Sequence, residues 1–157
     1  MTGKTEELQE IIDNLRRIFQ VANEYSRSAE TETGLTGPQL WALKILAEAA
    51  PLRLSELARR MYIRSATAVG IIDRLAAKEL VSKTQSVSDR RAVDLVLTEK
   101  GKSLVAGSPQ SLQSMLLKGL NALPEEQFEV VAQGVRQLVK VLGAESLTPQ
   151  PLHRLHR

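Results

Sequence analysis

Basic side chains are concentrated in one segment of the sequence, from Leu52 to Arg91. Nine basic and four acidic residues give this segment a net charge of +5, whereas the whole chain carries only +3. Lysine and arginine bind phosphate oxygens, and clusters of them attract nucleic acids. The pattern therefore favours a phosphate-binding surface. The alternative is a solvated basic face that has no partner.

Two short helices are predicted to carry part of this charge. The first has the apolar residues Leu54, Leu57, Ala58 and Met61 on one face. Tyr62, Ile63 and Arg64 interrupt the pattern. A second helix is predicted from Ser65 to about Glu79, because apolar residues recur in it at three- and four-residue spacing. Its buried set is Ala68, Ile71, Ile72 and Leu75.

Two strand-like runs follow these helices, at Val81–Gln85 and at 92–97. In the second run Val93, Leu95 and Leu97 alternate with other residues, so one face can pack on the helices. The polar, turn-prone stretch 86–91 separates the runs and ends in two arginines. Two helices at a steep angle followed by a hairpin with a basic tip form a compact reader of duplex DNA.

These motifs resemble the multiple-antibiotic-resistance regulator (MarR) family. The resemblance covers roughly Leu35 to Leu142, and its motifs follow the family's order and spacing. They are Leu35-Thr36-Gly37-Pro38-Gln39-Leu40, Ser55-Glu56-Leu57-Ala58, Ile72-Asp73-Arg74-Leu75, Asp89-Arg90-Arg91 and the run from Ala92 to Gly101. The resemblance implies a mainly α fold with a small β-hairpin wing. It implies a winged helix-turn-helix DNA-binding region with N- and C-terminal dimerisation helices.

Eleven residues are candidates for contact with DNA. They are Arg53, Arg64, Ser65, Ala66, Thr67, Gly70, Arg74, Lys83, Asp89, Arg90 and Arg91. Ser65 and Thr67 can donate to bases or phosphates, and Ala66 can meet a thymine methyl group. Arg53 and Lys83 are candidate phosphate contacts. The exposed face of the second helix carries few side chains that can discriminate between bases. The wing and the shape of the DNA are therefore expected to carry much of the specificity.

The resemblance also assigns roles within the wing. It implies that Asp89 holds the side chain of Arg91, which enters the minor groove; the alternative is a surface ion pair without a function. The sequence departs from the family at Gly70, where a longer polar or basic side chain is frequent. It departs again at Glu79, where the family tends to have a small turn residue, usually glycine.

The flanking regions are predicted to form the dimer. Residues 1–34 form an N-terminal dimerisation helix with an apolar stripe, 35–98 the DNA-binding region, 99–145 the C-terminal dimerisation helices and 146–157 a disordered tail. The alternative partner for the N-terminal stripe is the C-terminal helices of the same chain. The helix after Thr98 is expected to break at residues 107–109. Trp41 is interpreted as a core anchor, with ligand stacking as the alternative.

Regulation by a ligand follows only from the resemblance, which implies that a small aromatic or anionic effector binds between the dimer layer and the winged domain. Arg16, Arg17 and Arg27 are candidates for an anionic ligand, but solvated helix faces explain them equally well.

Other classes of function are disfavoured. The chain has no cysteine, and its two histidines, His153 and His156, lie in the tail without acidic neighbours. We therefore expect no metal, no cofactor, no thiol chemistry and no enzymatic activity. No apolar run is long enough to cross a membrane, and the first ten residues are polar, so a cytoplasmic protein is expected. The expected function is that of a homodimeric transcriptional regulator, expected to act as a repressor, on a pseudo-palindromic operator. The alternative is a winged-helix module that binds protein.

Overall fold

The computed structural model describes residues 2–152, and over these residues the chain forms seven helices and three short strands. The order is α1 (Thr2–Thr33), α2 (Gly37–Ala49), β1 (Leu52–Arg53), α3 (Leu54–Arg60), α4 (Ser65–Ala77), β2 (Val81–Gln85), β3 (Val93–Leu97), α5 (Glu99–Ala106), α6 (Leu112–Asn121) and α7 (Glu125–Val141). The predicted fold class is confirmed.

Helix α2 is the centre of the core. It packs against α1, α3, α4, α5 and α6 and against strand β3. Its N-terminus is fixed by a capping box, in which Thr36 accepts from the Gln39 amide and Gln39 accepts from the Thr36 amide. These bonds satisfy amides that a helix leaves unpaired. Trp41 is only 8% exposed and belongs to the core, as the sequence indicated.

The three strands form an antiparallel sheet in the order β1-β3-β2. The hairpin pairs Val81 with Leu97 and Gln85 with Val93. Leu95 and Leu97 are buried, as expected from the alternation, but Val93 is half exposed because it lies at the distal end of the hairpin, beyond the core. Strand β1 has only two residues, which is too short for a periodic pattern to predict it.

A close approach joins the hairpin to α5. Thr98 caps α5 by accepting from the Gly101 amide, and its hydroxyl donates to the Glu79 carbonyl. A Cβ atom on Gly101 would lie 2.2 Å from the Leu80 carbonyl oxygen. Only glycine fits here without a backbone shift, because real Cβ atoms do not approach an oxygen so closely.

The long terminal helices leave apolar surface uncovered. No residue of α7 is buried, and Phe128, Val131 and Val135 are each more than 40% exposed. On α1, Ile18 and Phe19 are more than 60% exposed. Exposed apolar faces of this extent indicate an interaction surface.

The flanking regions contain the predicted N-terminal helix and the predicted break in the helix after Thr98. Helix α1 ends at Thr33, and the expected interruption at 107–109 separates α5 from α6. The division into four regions stays a prediction.

The described part of the tail contains neither helix nor strand after residue 146, and its Leu152 carbonyl accepts a hydrogen bond from Gln113. His153 and His156 lie outside the described residues. Within residues 2–152, no helix is long and apolar enough to span a membrane.

Candidate DNA-binding interface

Helix α4 is positioned by its apolar side. Ala68, Ile71, Ile72 and Leu75 are buried against the core, as the sequence predicted. The opposite side is exposed and carries Ser65, Ala66, Gly70, Asp73 and Arg74, whereas Thr67 on the flank is partly buried. The first two turns of the helix therefore present small and weakly polar side chains to solvent, as expected from the sequence, whereas Asp73 and Arg74 add one acid and one base further along.

The turn between α3 and α4 is held by backbone hydrogen bonds. Tyr62 adopts a left-handed conformation with φ of 55°, and the Ile63 amide donates to the Ala58 carbonyl at 3.1 Å. This arrangement ends α3 and redirects the chain into α4, which begins at Ser65 with Arg64 as its N-cap. A left-handed aromatic residue is uncommon and costs conformational energy, so tertiary contacts must support the turn.

The hairpin between β2 and β3 is the wing, and its tip (residues 86–92) is ordered by local hydrogen bonds. The Ser86 amide donates to the Ala92 carbonyl, and the Gln85 amide group donates to the Arg90 carbonyl. Val87 is fully exposed at the tip. Arg90 and Arg91 are exposed as well, so the wing presents two cations next to an apolar tip.

Asp89 organises the basic end of the wing in a different way from that implied by the family resemblance. Its Oδ1 atom accepts from the backbone amide of Arg91 at 2.9 Å, and its Oδ2 atom lies 4.0 Å from Nη2 of Arg53. The carboxylate thus fixes the turn and attracts Arg53, rather than binding the Arg91 guanidinium. Arg53 reaches this position because β1 pairs it with Asp94 on β3.

Lys83 is paired within the same surface. Its ammonium donates to Oδ1 of Asp73 at 2.7 Å, which links strand β2 to the exposed side of α4. Through this contact the helix and the wing form one continuous surface. The sequence identified Lys83 as a candidate phosphate contact but gave no sign of this partner, which is ten residues away in an element of a different type.

The other candidate cations differ in how strongly they are held. Within the part of the chain that the structure describes, no ion pair involves Arg64, Arg74, Arg90 or Arg91, and all four are exposed. These four guanidinium groups are the cations that an incoming phosphate backbone can engage at the smallest cost in broken contacts.

Two further arginines on α3 share one carboxylate partner. Arg59 and Arg60 both donate to the Glu56 carboxylate, at 2.7 and 3.0 Å. These hydrogen bonds, with that from Arg59 the strongest, lower the pKa of Glu56 to about 2. Because one carboxylate pairs with two guanidinium groups, this cluster keeps a net charge of +1, which the segment total of +5 already includes.

Comparison with known proteins agrees with this geometry. The family model described as "MarR family" matches residues 35–93. Over 141 residues the chain is 28% identical to the HTH-type transcriptional repressor MdtR of Bacillus subtilis (strain 168), covering 90% of each protein.

Solved structures give the same result. A MepR-like protein complexed with pseudoligands is 28% identical, with a TM-score of 0.56, over 87% of this chain and 94% of that chain. The S. aureus MepR–DNA complex is 19% identical, with a TM-score of 0.57, over 81% of this chain and 94% of that chain, and shows the shared fold alone. With the winged helix-turn-helix described above, these similarities show that the chain belongs to the MarR family of transcriptional regulators.

Proposed function

We propose that this protein is a transcriptional repressor that binds duplex DNA as a homodimer. The observation that carries the proposal is the continuous surface formed by α4 and the wing, with exposed Arg64, Arg74, Arg90 and Arg91. An α-helix with one exposed side, such as α4, fits the major groove, and a basic hairpin beside it reaches the adjacent backbone or minor groove. The name of the relative MdtR supports the assignment as a repressor.

Within this proposal the predicted site residues take distinct roles. Arg64, Arg74 and Arg90 contact phosphates, whereas Arg91 enters the minor groove. Ser65, Ala66, Thr67 and Gly70 face base edges and supply little discrimination, since none has a long polar side chain. Arg53 and Lys83 contribute cations that are partly neutralised by their carboxylate partners. Asp89 positions the backbone at Arg91.

The homodimer follows from the uncovered faces of α1, α6 and α7. Their exposed residues include Ile18, Phe19, Leu116, Phe128 and Val135. A second copy of the chain supplies a matching apolar surface through a two-fold axis, which is the commonest arrangement of soluble oligomers. Two-fold symmetry then places two α4 helices on two half-sites of a pseudo-palindromic operator.

A small effector is part of the proposal. The MepR-like relative has been crystallised with pseudoligands. An aromatic or anionic ligand between the dimer layer and the winged domain releases DNA by favouring dimers whose α4 helices no longer match the half-sites. A cytoplasmic location is part of the same proposal, because a regulator of this kind acts where its operator DNA lies.

Fluorescence anisotropy with duplexes from the region flanking the protein's own gene tests the function, and shuffled duplexes of equal length and composition provide the control. We expect anisotropy to show specific binding. Footprinting on the same duplexes should show two half-sites about 10–10.5 base pairs apart. Specificity should lie toward the low end of the usual range of roughly 10³–10⁷ over nonspecific DNA. Equal affinity for all duplexes would instead favour the alternative function, a module that binds protein.

A further inference from the structure

The segment Pro149–Leu152, here called the strap, lies against an apolar crevice in the body of the protein. The crevice has a volume of about 280 Å³ and is lined by Trp41 of α2, by the α3–α4 turn and by α6. Its lining outside the strap includes Trp41, Tyr62, Ile63, Gln113 and Leu116. The strap forms the remaining wall, so it narrows the access of solvent to this apolar space.

A buried side chain anchors the strap. Gln113 on α6 is 7% exposed, and its Nε2 atom donates to the Leu152 carbonyl at 2.8 Å. Its Oε1 atom accepts from the hydroxyl of Ser111, which is itself 3% exposed. Since Ser111 orients the amide, the N–H group is aimed at the strap. Without the strap, this buried donor would lose its partner, which is costly.

The composition of the strap suits this position. Pro149 and Pro151 fix the backbone torsion φ and carry no N–H group, so the segment lies on an apolar surface with few donors to satisfy. A proline-rich segment also loses little conformational freedom when it binds. The strap also lies close to the start of α2, because a Cβ atom on Gly37 would be in ordinary van der Waals contact, at 3.6 Å, with the Leu152 carbonyl oxygen.

The crevice lies between the predicted dimerisation region and the turn that leads into α4. One side is built by α6, which belongs to the predicted dimerisation region, and the other by Tyr62 and Ile63, which lead directly into α4. Tyr62 has a left-handed backbone and is 76% exposed, so the turn depends on its backbone hydrogen bonds and on the elements that pack beside it. A segment that covers this turn and is anchored on α6 restrains the position of α4 relative to the dimer layer.

We propose that the strap is an intramolecular ligand of this crevice, which competes with apolar small molecules and holds the α3–α4 turn against α6. Its regulatory consequence rests on the proposed function, because a shift of α4 matters only if α4 binds DNA. Occupation of the crevice by the strap does not depend on that function. A molecule larger than the space of about 280 Å³ that the strap leaves open must displace residues 149–152, and displacement frees the turn that leads into α4.

The test compares the full chain with two truncated chains. One ends at Leu152 and keeps the strap but lacks 153–157; the other ends at Thr148 and lacks the strap. Trp41 is the only tryptophan and lines the crevice, so its accessibility to acrylamide reports on the strap. We expect the quenching constant to rise at least about twofold in the shorter chain and to stay unchanged in the longer one. Binding of the apolar dye ANS should rise in parallel.

A free peptide with the sequence of residues 148–152 provides the competition experiment. Added to the shorter chain, it should lower both the quenching of Trp41 and the binding of ANS. Equal quenching and equal dye binding in the two truncated chains, at equal folded fraction by circular dichroism, would overturn the proposal. This result would be obtained whether or not the protein binds DNA, so it is distinct from failure of the proposed function.

A substitution covers the case in which the shorter chain does not fold. Gln113→Glu places a carboxylate oxygen opposite the Leu152 carbonyl and should release the strap from the full chain. Gln110→Glu adds the same charge at an exposed position near the start of α6 and is the matched control. We expect increased Trp41 quenching for the first variant only. No difference between the two folded variants would likewise overturn the proposal.

Discussion

The Lys83 ammonium on β2 donates a 2.7 Å hydrogen bond to the Asp73 carboxylate on α4. Both side chains are about half exposed, so the pair is worth less than about 1 kcal/mol to folding. Its importance is electrostatic, because it places an acid on the side of α4 that we propose to face DNA. Phosphates approaching this surface meet a repulsive carboxylate and a cation that already has a partner.

Asp73→Asn is therefore expected to strengthen DNA binding. The change removes the repulsion and frees Lys83 for a phosphate, so the salt dependence should steepen by about one unit. The melting temperature should hardly change, since the pair is exposed. Affinity measured by anisotropy over a salt series tests this. The control is Asp13→Asn on α1, which makes the same charge change in a helix outside the α4–wing surface, and equal effects of both variants would contradict the prediction.

Arg91→Ala is expected to weaken DNA binding by about 1–3 kcal/mol and to lower the salt slope by about one unit. The Arg91 guanidinium forms no ion pair within the described residues, so stability should be nearly unchanged. Anisotropy and thermal melting measure the two effects separately. Normal affinity in the folded variant would make Arg90 the better candidate for the wing contact.

The two oxygens of Asp89 allow a separate test of the wing turn. Asp89→Asn keeps an oxygen that can accept from the Arg91 amide, whereas Asp89→Ala removes the acceptor. We expect Asp89→Ala to weaken DNA binding less than Arg91→Ala, because the cation remains. Asp89→Asn should retain more affinity than Asp89→Ala if the turn geometry matters. Equal loss of affinity in Asp89→Asn and Asp89→Ala would show that the charge near Arg53 is the important feature, because both variants lack it.

The sequence predicted the helices and the hairpin because their apolar residues recur with periods set by local geometry. Ile71 and Leu75 lie one turn apart in any α-helix, and Thr98 caps α5 through a bond only three residues long. It could not predict contacts between distant elements. The partners of Lys83 and Arg53 depend on how α4, β1 and the wing pack together, and the contact of Leu152 with Gln113 spans 39 residues.

The acid dependence of stability should carry a contribution from Glu56. Its pKa is lowered from 4.5 to about 2 by hydrogen bonds from Arg59 and Arg60. A lowered carboxyl pKa means stability that is present above the unfolded value and is lost as pH falls through the folded value. The parent should therefore lose stability relative to Glu56→Gln between about pH 4.5 and about pH 2. Urea unfolding at several pH values tests this, and identical profiles would contradict it.

Gly101→Ala should destabilise the fold by about 1–3 kcal/mol, because its Cβ atom would lie 2.2 Å from the Leu80 carbonyl oxygen. Gly70→Ala is the matched control. A Cβ atom on Gly70 meets no atom within 4 Å, and alanine is the better helix former, so that variant should gain about 0.5–1 kcal/mol. Chemical denaturation distinguishes them, and equal stability of the two variants would show that α5 can shift away from Leu80.

Glu79→Gly is expected to stabilise the protein. Glu79 follows the end of α4 with φ of 59°, a left-handed conformation that costs a residue with a Cβ atom roughly 1–2 kcal/mol. The conformation is required, because the Leu80 amide donates to the Leu75 carbonyl at 3.0 Å and the Glu79 carbonyl accepts from the Thr98 hydroxyl. Glycine removes the steric cost but loses more backbone freedom on folding, so a net gain of about 0.5–1 kcal/mol remains.

Glu79→Ala separates the backbone effect from the effect of charge. Alanine also removes the carboxylate but keeps the Cβ atom, so it should not share the gain in stability. In DNA binding the two variants should behave alike, since each removes one acid from the basic segment. Denaturation midpoints and anisotropy on the same preparations give both comparisons. If alanine stabilised as much as glycine, the cause would be charge repulsion at the end of α4 and not the left-handed backbone.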